Sequence, residues 1–366
     1  MINLFILILV SFLLGNQIAI YSKPYPNVLS AIRQDMKVRI LFIILCLLLI
    51  VFSGFRTTYN DTQTYLYDFY MFDISKVSIT TLLEPYGGFD VLRWFIKTFI
   101  TQNPQGLILI SAIISNLCYL WFFAKYSKYF GWTILGYFIL GPYMFSMAGI
   151  KQILAMSISL FGIDKLIQRK YMSFIIWILF SMIFHPYICC MLILPMFTEQ
   201  LWSKKFLFIL ILSILIVINI NFIMSIASII GKDYTVSELT TNTVNPLRVV
   251  VESIPIILSL IGKEKLKNLP RQYQLGLNMM IFNFIMIFMG LFFDPIYFAR
   301  MGIYFTSMNA IIFPILLVKI YENSNLLFNL YGYYFIYCIY FVLDLTKLGK
   351  VDILYDIFHH TNSFIN

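Results

Sequence analysis

Residues 40–70 read ILFIILCLLLIVFSGFRTTYNDTQTYLYDFY, and an abrupt change inside that stretch decides the fold. From Ile40 to Phe52 every side chain is apolar, which reads as the core of a membrane helix. After Gly54 come Arg56, Asp61 and Asp68, the tyrosines Tyr59, Tyr65, Tyr67 and Tyr70, and a series of hydroxyl and amide side chains. A span therefore ends where a dense polar segment begins.

Working outward, the rest of the chain resembles the first half of that stretch more than the second. Hydrophobic residues make up 60% of the sequence and charged ones 12%, with a mean hydropathy of +0.85. About a quarter of an average soluble domain is charged, so the chain reads as an all-α polytopic membrane protein. It forms a single integral membrane domain over residues 1–366. Hydropathy predicts about twelve spans, at 2–21, 39–55, 106–124, 130–149, 150–166, 171–186, 187–200, 206–230, 246–261, 272–293, 296–318 and 326–344. The run 2–21 has no basic leader and no small-residue cleavage site, so it reads as a retained helix.

Lysine and arginine set the expected orientation. Loops after alternate spans carry sixteen of the twenty-six basic residues, among them Lys23, Arg33, Lys125, Lys170, Lys204 and Lys263. The positive-inside rule makes those loops cytoplasmic and both termini external. The net charge of +9 then reflects topology and requires no nucleic acid. Two segments are long on the external side, 56–105 and 231–246. Within the first, Val91, Leu92, Phe95, Ile96 and Phe99 fall at helical spacing. Residues 89–100 are too few to span and are expected to lie in the interface with Arg93 and Lys97 facing water. The tail from Lys347 is expected to form another interfacial helix.

The five cysteines all sit in apolar runs without a CxxC partner and read as buried thiols. Three histidines without an HxxxH pattern, and Asp61, Asp68 and Asp73 at loose spacing, suggest no metal site. No Walker-type or Gly-rich phosphate motif is present, and no cofactor is expected.

Chemistry is expected where cations stand on the external side, against the positive-inside bias. Arg56 opens the first external loop, Lys151 the fifth span and Arg248 the ninth, while Arg300 lies six residues after Asp294. His185 closes the sixth span before Pro186. Ionisable groups at membrane depth are costly and usually face a cavity, and several cations together suit a phosphate polyanion. Each residue also has a structural reading. Arg56 can snorkel, Asp61 can form an Asx turn, His185 can cap its span, and Arg300 can pair with Asp294. The loop tyrosines fit either an aromatic belt or sugar stacking.

Five elements together resemble the EpsG family, a branch of the Wzy-type polysaccharide polymerases. They are Ser53-Gly-Phe-Arg56-Thr-Thr-Tyr59-Asn-Asp61-Thr-Gln-Thr-Tyr65, Glu84-Pro-Tyr-Gly-Gly-Phe-Asp90, Gly141 through Lys151-Gln-Ile-Leu-Ala155, Phe184-His185, and Ala299-Arg300-Met-Gly-Ile-Tyr-Phe305. They occur in the family's order over about residues 40–310. The chain departs from the pattern at Asn60, where glycine is usual, at Lys151, where arginine is usual, and at Tyr187, where serine is common.

The resemblance implies a glycosyltransferase of the metal-independent GT-C-like branch, with an enlarged external loop over its site. Its activity would be to polymerise undecaprenyl-diphosphate-linked oligosaccharide repeats into capsule, exopolysaccharide or O-antigen on the outer face of the bacterial cytoplasmic membrane. Its partners would be those lipid-linked units, the bilayer, and a chain-length regulator and flippase of the same pathway. Arg56, Arg300, Lys151 and Arg248 would hold the pyrophosphate, and Asp61 or His185 would face the acceptor hydroxyl. Tyr59, Tyr65 and Asp294 would contribute to substrate binding. The competing readings are a lipid-linked oligosaccharide flippase, and a ligase or acyltransferase acting on the same glycans. Long polar segments confined to one side, and halves unlike one another, favour an enzyme.

Overall fold

The computed structural model describes residues 2–218, 244–292, 298–322 and 325–347. Among them all regular structure is helical. The chain divides into two compact units, residues 1–157 with 341–366, and residues 158–340.

In the first unit α1 (Ile2–Tyr21), α3 (Met36–Gly54) and α6 (Gln105–Tyr126) are the long apolar helices, with α2 (Val28–Gln34) between the first two. Asp35 caps α3 by accepting from the backbone N–H groups of Lys37 and Val38, as helix starts favour. α1 packs on both α3 and α7 (Phe130–Ile139), and α3 packs along α6. A span expected over 130–149 is broken here. Gly141, at a φ of 95°, follows the end of α7, and Pro142 starts a separate helix, α8 (Pro142–Ala148). The left-handed backbone is open to glycine at no steric cost, and proline suits the first turn of a helix. α9 (Ile150–Ile167) follows at once and carries the chain across the unit boundary.

The second unit contains α10 (Tyr171–Met182), a 3₁₀ helix over Pro186–Thr198, α11 (Lys204–Ile218), α12 (Pro246–Ile261), α13 (Lys263–Leu266) and α14 (Arg271–Met289). α15 (Phe298–Ile303), a 3₁₀ turn over Tyr304–Thr306, α16 (Asn309–Ile320) and α17 (Leu326–Lys347) complete the described chain, with the end of α17 belonging to the first unit. α14 is the hub, touching α12, α15, α16 and the 3₁₀ helix. Buried amides fasten it. Asn278 donates to the carbonyls of Phe197 and Glu199, and Gln274 to those of Leu266 and Lys267.

Among the described residues, four helices are long and apolar enough to cross a membrane: α1, α3, α6 and α17 up to Leu345. A fifth results if the segments Arg300–Thr306 and Asn309–Ile320, bent by 62°, are one span. The protein is a multi-pass membrane protein, and two of the other expected spans take a different form, while 206–230 lies outside the described residues beyond 218. Most of the expected span 187–200 belongs to the 3₁₀ helix over Pro186–Thr198, which contains Pro186 and Pro195, and the described part of 296–318 is bent between Thr306 and Asn309. Proline removes backbone donors that a regular span requires, and hydropathy averaged over a window does not register the loss. The expected loop 231–246 and the tail from residue 348 lie mostly outside the described residues, as does Asp294.

Candidate active site

The segment 55–104 leaves α3 and returns at α6, and its two ends are tied together. Gln105, the first residue of α6, donates from Nε2 to the carbonyls of Gly54 (2.7 Å) and Arg56 (3.0 Å). Arg56 is 1% exposed and is the largest fully buried side chain among the described residues. Its Nε donates to Thr62 Oγ1 at 3.1 Å, and Nη1 donates to the Ser53 carbonyl. Behind it Ser53 accepts from Asn116, which in turn accepts from Tyr137. A guanidinium removed from water carries a large desolvation cost and persists only where its donors are engaged. The snorkelling reading of Arg56 is therefore replaced: the charge points into protein.

The turn that follows brings the next residues round. Thr62 Oγ1 donates to the Tyr59 carbonyl at 2.6 Å, and Asn60 takes a φ of 47°. Glycine adopts that left-handed conformation most easily and asparagine is the next best choice, so the turn tolerates Asn60 in a glycine's place. Asp61 is exposed at the start of α4 (Thr62–Tyr70), and its side chain makes no capping bond.

Three elements meet at Tyr65. Its ring packs edge-on against Phe89, at 6.0 Å between centroids. Burial raises its pKa, while the backbone N–H of Lys151 bonds its oxygen and opposes the rise. The Asp61 charge adds to the rise, and Arg56 opposes it. Tyr59 is pushed up to about 12, by burial first and then by the Asp344 carboxylate, with Arg56 acting in the other direction. Both phenols stay neutral donors at physiological pH. Lys151 Nζ sits 5.0 Å from the Tyr86 ring centroid and 5.2 Å from that of Phe89, a spacing at which a cation is attracted to ring faces. Arg56, Tyr59, Asp61, Tyr65 and Lys151 thus form one neighbourhood of the first unit.

The 84–90 segment supplies the aromatic side of that neighbourhood through backbone geometry. Tyr86 has a φ of 67°, a strained setting for a bulky residue. A Cβ on Gly87 would lie 1.7 Å from the Thr81 carbonyl oxygen, so that position admits glycine alone. α5 (Gly87–Phe99) then departs from the expected pose of its cations. Arg93 pairs with Asp90 and lies 4.1 Å from the Phe72 ring centroid, and Lys97 donates to the carbonyls of Phe69, Tyr70 and Phe72. They close the end of α4, whose last carbonyls lack helical partners, in place of facing water. Phe95, Thr98 and Phe99 are the residues of α5 that are exposed.

The second unit brings two other motifs together. His185 Nδ1 is 2.5 Å from the Tyr304 hydroxyl, and its ring lies 5.5 Å from that of Tyr187. The histidine is half-buried, and Tyr304 is 1% exposed. Arg300 is exposed, four residues before Tyr304. Arg248 is half-buried in the first turn of α12, where it interacts electrostatically with Glu252 one turn on. The expected Arg300–Asp294 pair falls outside the described residues through Asp294. No group of three or more His, Cys, Asp or Glu side chains gathers to hold a metal among the described residues.

Several participants go beyond the sequence reading. Tyr86, Phe89 and Tyr304 lie inside the motifs but were given no role, and Gln105 is the first polar residue of an apolar run. Asp344 gives no local signal, because its approach to Tyr59 depends on the path of α17.

The sequence model of the EpsG family matches residues 39–358. The chain belongs to the EpsG family. That is a family of Wzy-type polysaccharide polymerase-like proteins, and this EpsG-family chain places its Arg56, Glu84–Asp90 and Lys151 motifs in a single unit. No curated protein and no solved structure matches the chain.

Proposed function

We propose that this EpsG-family protein polymerises undecaprenyl-diphosphate-linked oligosaccharide repeats on the outer face of the bacterial cytoplasmic membrane. One observation carries the reading: a buried guanidinium, Arg56, shares a neighbourhood with the Lys151 ammonium, the Asp61 carboxylate and the phenols of Tyr59 and Tyr65. In the proposed reaction the growing chain leaves its lipid pyrophosphate for a hydroxyl of the incoming unit. Charge develops on the bridging oxygen, and preorganised cations are the groups that stabilise it. Arg56 and Lys151 serve that role. Asp61, exposed and without a capping bond, accepts the proton of the attacking hydroxyl. Tyr59 and Tyr65 donate to sugar or phosphate oxygens. The donor arrives activated, so the mechanism uses no nucleotide and no cofactor, and polymerisation is expected to persist in EDTA.

The test is the surface polysaccharide of a deletion strain. Single repeat units on the carrier or cell surface support the polymerase. Loss of all surface glycan with units retained inside indicates a flippase, and full-length polymer that lacks a substituent or its final attachment indicates a ligase or acyltransferase.

A further inference from the structure

We infer that α5 rests on the lipid bilayer through an uncharged aromatic stripe, Phe95 and Phe99 followed by Ile100, beside the point where α6 enters the membrane. The inference concerns membrane contact and does not depend on the polymerase reading. It starts from where the charges of α5 go. At about 100° per residue, Asp90, Arg93 and Lys97 share one flank of the helix, and Phe95 and Phe99 lie on the opposite one. Lys97 gives all three donors of its ammonium to the carbonyls of Phe69, Tyr70 and Phe72, at 3.0, 2.8 and 2.8 Å. Arg93 pairs with Asp90, lies over the Phe72 ring and reaches the Asp68 carbonyl. The helix thus turns its cations onto the 68–72 backbone and leaves its rings exposed.

Phe95, Phe99 and Ile100 are 47%, 64% and 55% exposed. The Phe99 ring centroid lies 5.3 Å from that of Phe95 and 5.5 Å from that of Trp94, so the three rings form one cluster. Trp and Phe on one face of an amphipathic helix are residues that enter the boundary between headgroups and acyl chains. The position of the stripe selects lipid. From Phe99 the chain reaches α6, a helix able to cross the membrane, through residues 100–104 alone. That turn is compact. Thr101 donates its N–H to the Ile96 carbonyl at 2.9 Å, and Gln102 Nε2 donates to the Lys97 carbonyl at 2.7 Å. A Cβ on Gly106 would stand 2.3 Å from Thr101 Cγ2 and 3.5 Å from Ile96 Cγ2. The end of α5 is therefore fixed against the first turn of a span. In the same unit the exposed side chains Ile40, Ile43, Ile44 and Leu47 of α3 have the same uncharged character, as contact with hydrocarbon requires.

A second copy of the chain fits this stripe less well. Three side chains exposed to this extent offer on the order of 300 Å², whereas a specific protein interface needs about 800 Å² from each partner. With both cations engaged on protein, the contact is driven by apolar burial and needs no anionic headgroup. α5 also bears Phe89, whose ring meets Tyr65 and lies near the Lys151 ammonium. The helix that touches lipid thereby forms one wall of that neighbourhood.

The test is the relaxation of a nitroxide attached through p-acetylphenylalanine at position 95 or 99, in full-length protein in nanodiscs. This chemistry leaves the five cysteines in place, and the readout needs no turnover. Molecular oxygen concentrates in lipid, whereas a neutral nickel chelate stays in water. Position 76, where the Lys76 side chain is 81% exposed, is the aqueous control. Oxygen is expected to outweigh nickel at 95 and 99, and nickel to outweigh oxygen at 76. The same ratios are expected in phosphatidylcholine alone and with phosphatidylglycerol added. Nickel outweighing oxygen at 95 and 99 would place the stripe in water and overturn the inference. Weak effects of both reagents there would also overturn it, by placing the stripe under protein, with spin–spin broadening identifying a second copy. An oxygen effect that appears only with phosphatidylglycerol would overturn it as well, since charge and not the stripe would then make the contact.

Discussion

Replacing Lys151 separates packing from chemistry more cleanly than any other substitution in the first unit. Its ammonium lies 5.0 and 5.2 Å from the ring centroids of Tyr86 and Phe89. A cation over an aromatic face contributes about 0.5–1 kcal/mol when exposed and about 2 kcal/mol when desolvated. Lys151 is half-buried, so Lys151→Met, which keeps an unbranched apolar stem between the rings, is expected to cost about 1–2 kcal/mol of stability. If the ammonium also stabilises pyrophosphate in the transition state, the rate pays separately, by about 3 kcal/mol or on the order of a hundredfold. Lys151→Arg keeps both the charge and the ring contacts and restores the residue usual in the family pattern, so it is expected to work near the wild-type rate. The assay is elongation of a lipid-linked repeat by purified variants, read as kcat/KM, with thermal unfolding midpoints measured in parallel. A Lys151→Met protein that loses stability but elongates at the wild-type rate would refute the reasoning and leave Lys151 a packing residue.

Three further outcomes follow from the same geometry. Arg56→Ala removes the donors to Ser53 and Thr62 and is expected to abolish long chains while lowering the midpoint. Arg56→Lys is expected to recover the midpoint better than the rate, since it keeps the charge and loses the fork; recovery of the rate alone would count against Arg56 at the site. Tyr59, raised to about 12, binds its proton more tightly folded than unfolded. Its contribution to stability is present below the ordinary tyrosine pKa of about 10 and is lost between there and about pH 12. Midpoints at pH 9 and 11 should therefore fall less in Tyr59→Phe than in wild type, and equal falls would contradict this. For orientation, cysteines at the exposed positions Ser75 and Asn103 should react with an impermeant thiol reagent on intact cells, and cysteines at Lys128 and Lys204 should not. The reverse pattern would move the proposed site to the cytoplasm.

The parts of the fold legible in sequence are those that a single window contains. α1, α3 and α6 are unbroken apolar runs, and their bounds follow hydropathy closely. Breaks set by a few residues escaped it, as at Gly141-Pro142, the 3₁₀ stretch after Pro186 and the bend before Asn309. At the site, Arg56, Asp61 and Lys151 stood out as charges in costly places. Their relation became visible only through backbone detail: the left-handed Asn60 and Tyr86, the glycine at 87, and the return of the chain at Gln105. Arg93 and Lys97 show the converse. Helical periodicity ranked them as solvated because it counts faces, whereas the open carbonyls at the end of α4 drew them inward.

The most direct measurement is elongation in vitro. Purified protein in vesicles, supplied with a synthetic lipid-pyrophosphate-linked repeat unit in EDTA, should produce a ladder of longer glycans on the carrier and release lipid pyrophosphate. The Arg56→Ala protein, present in equal amount, should produce neither. Repeat units that cross the bilayer without lengthening, or a ladder unchanged in Arg56→Ala, would contradict the account.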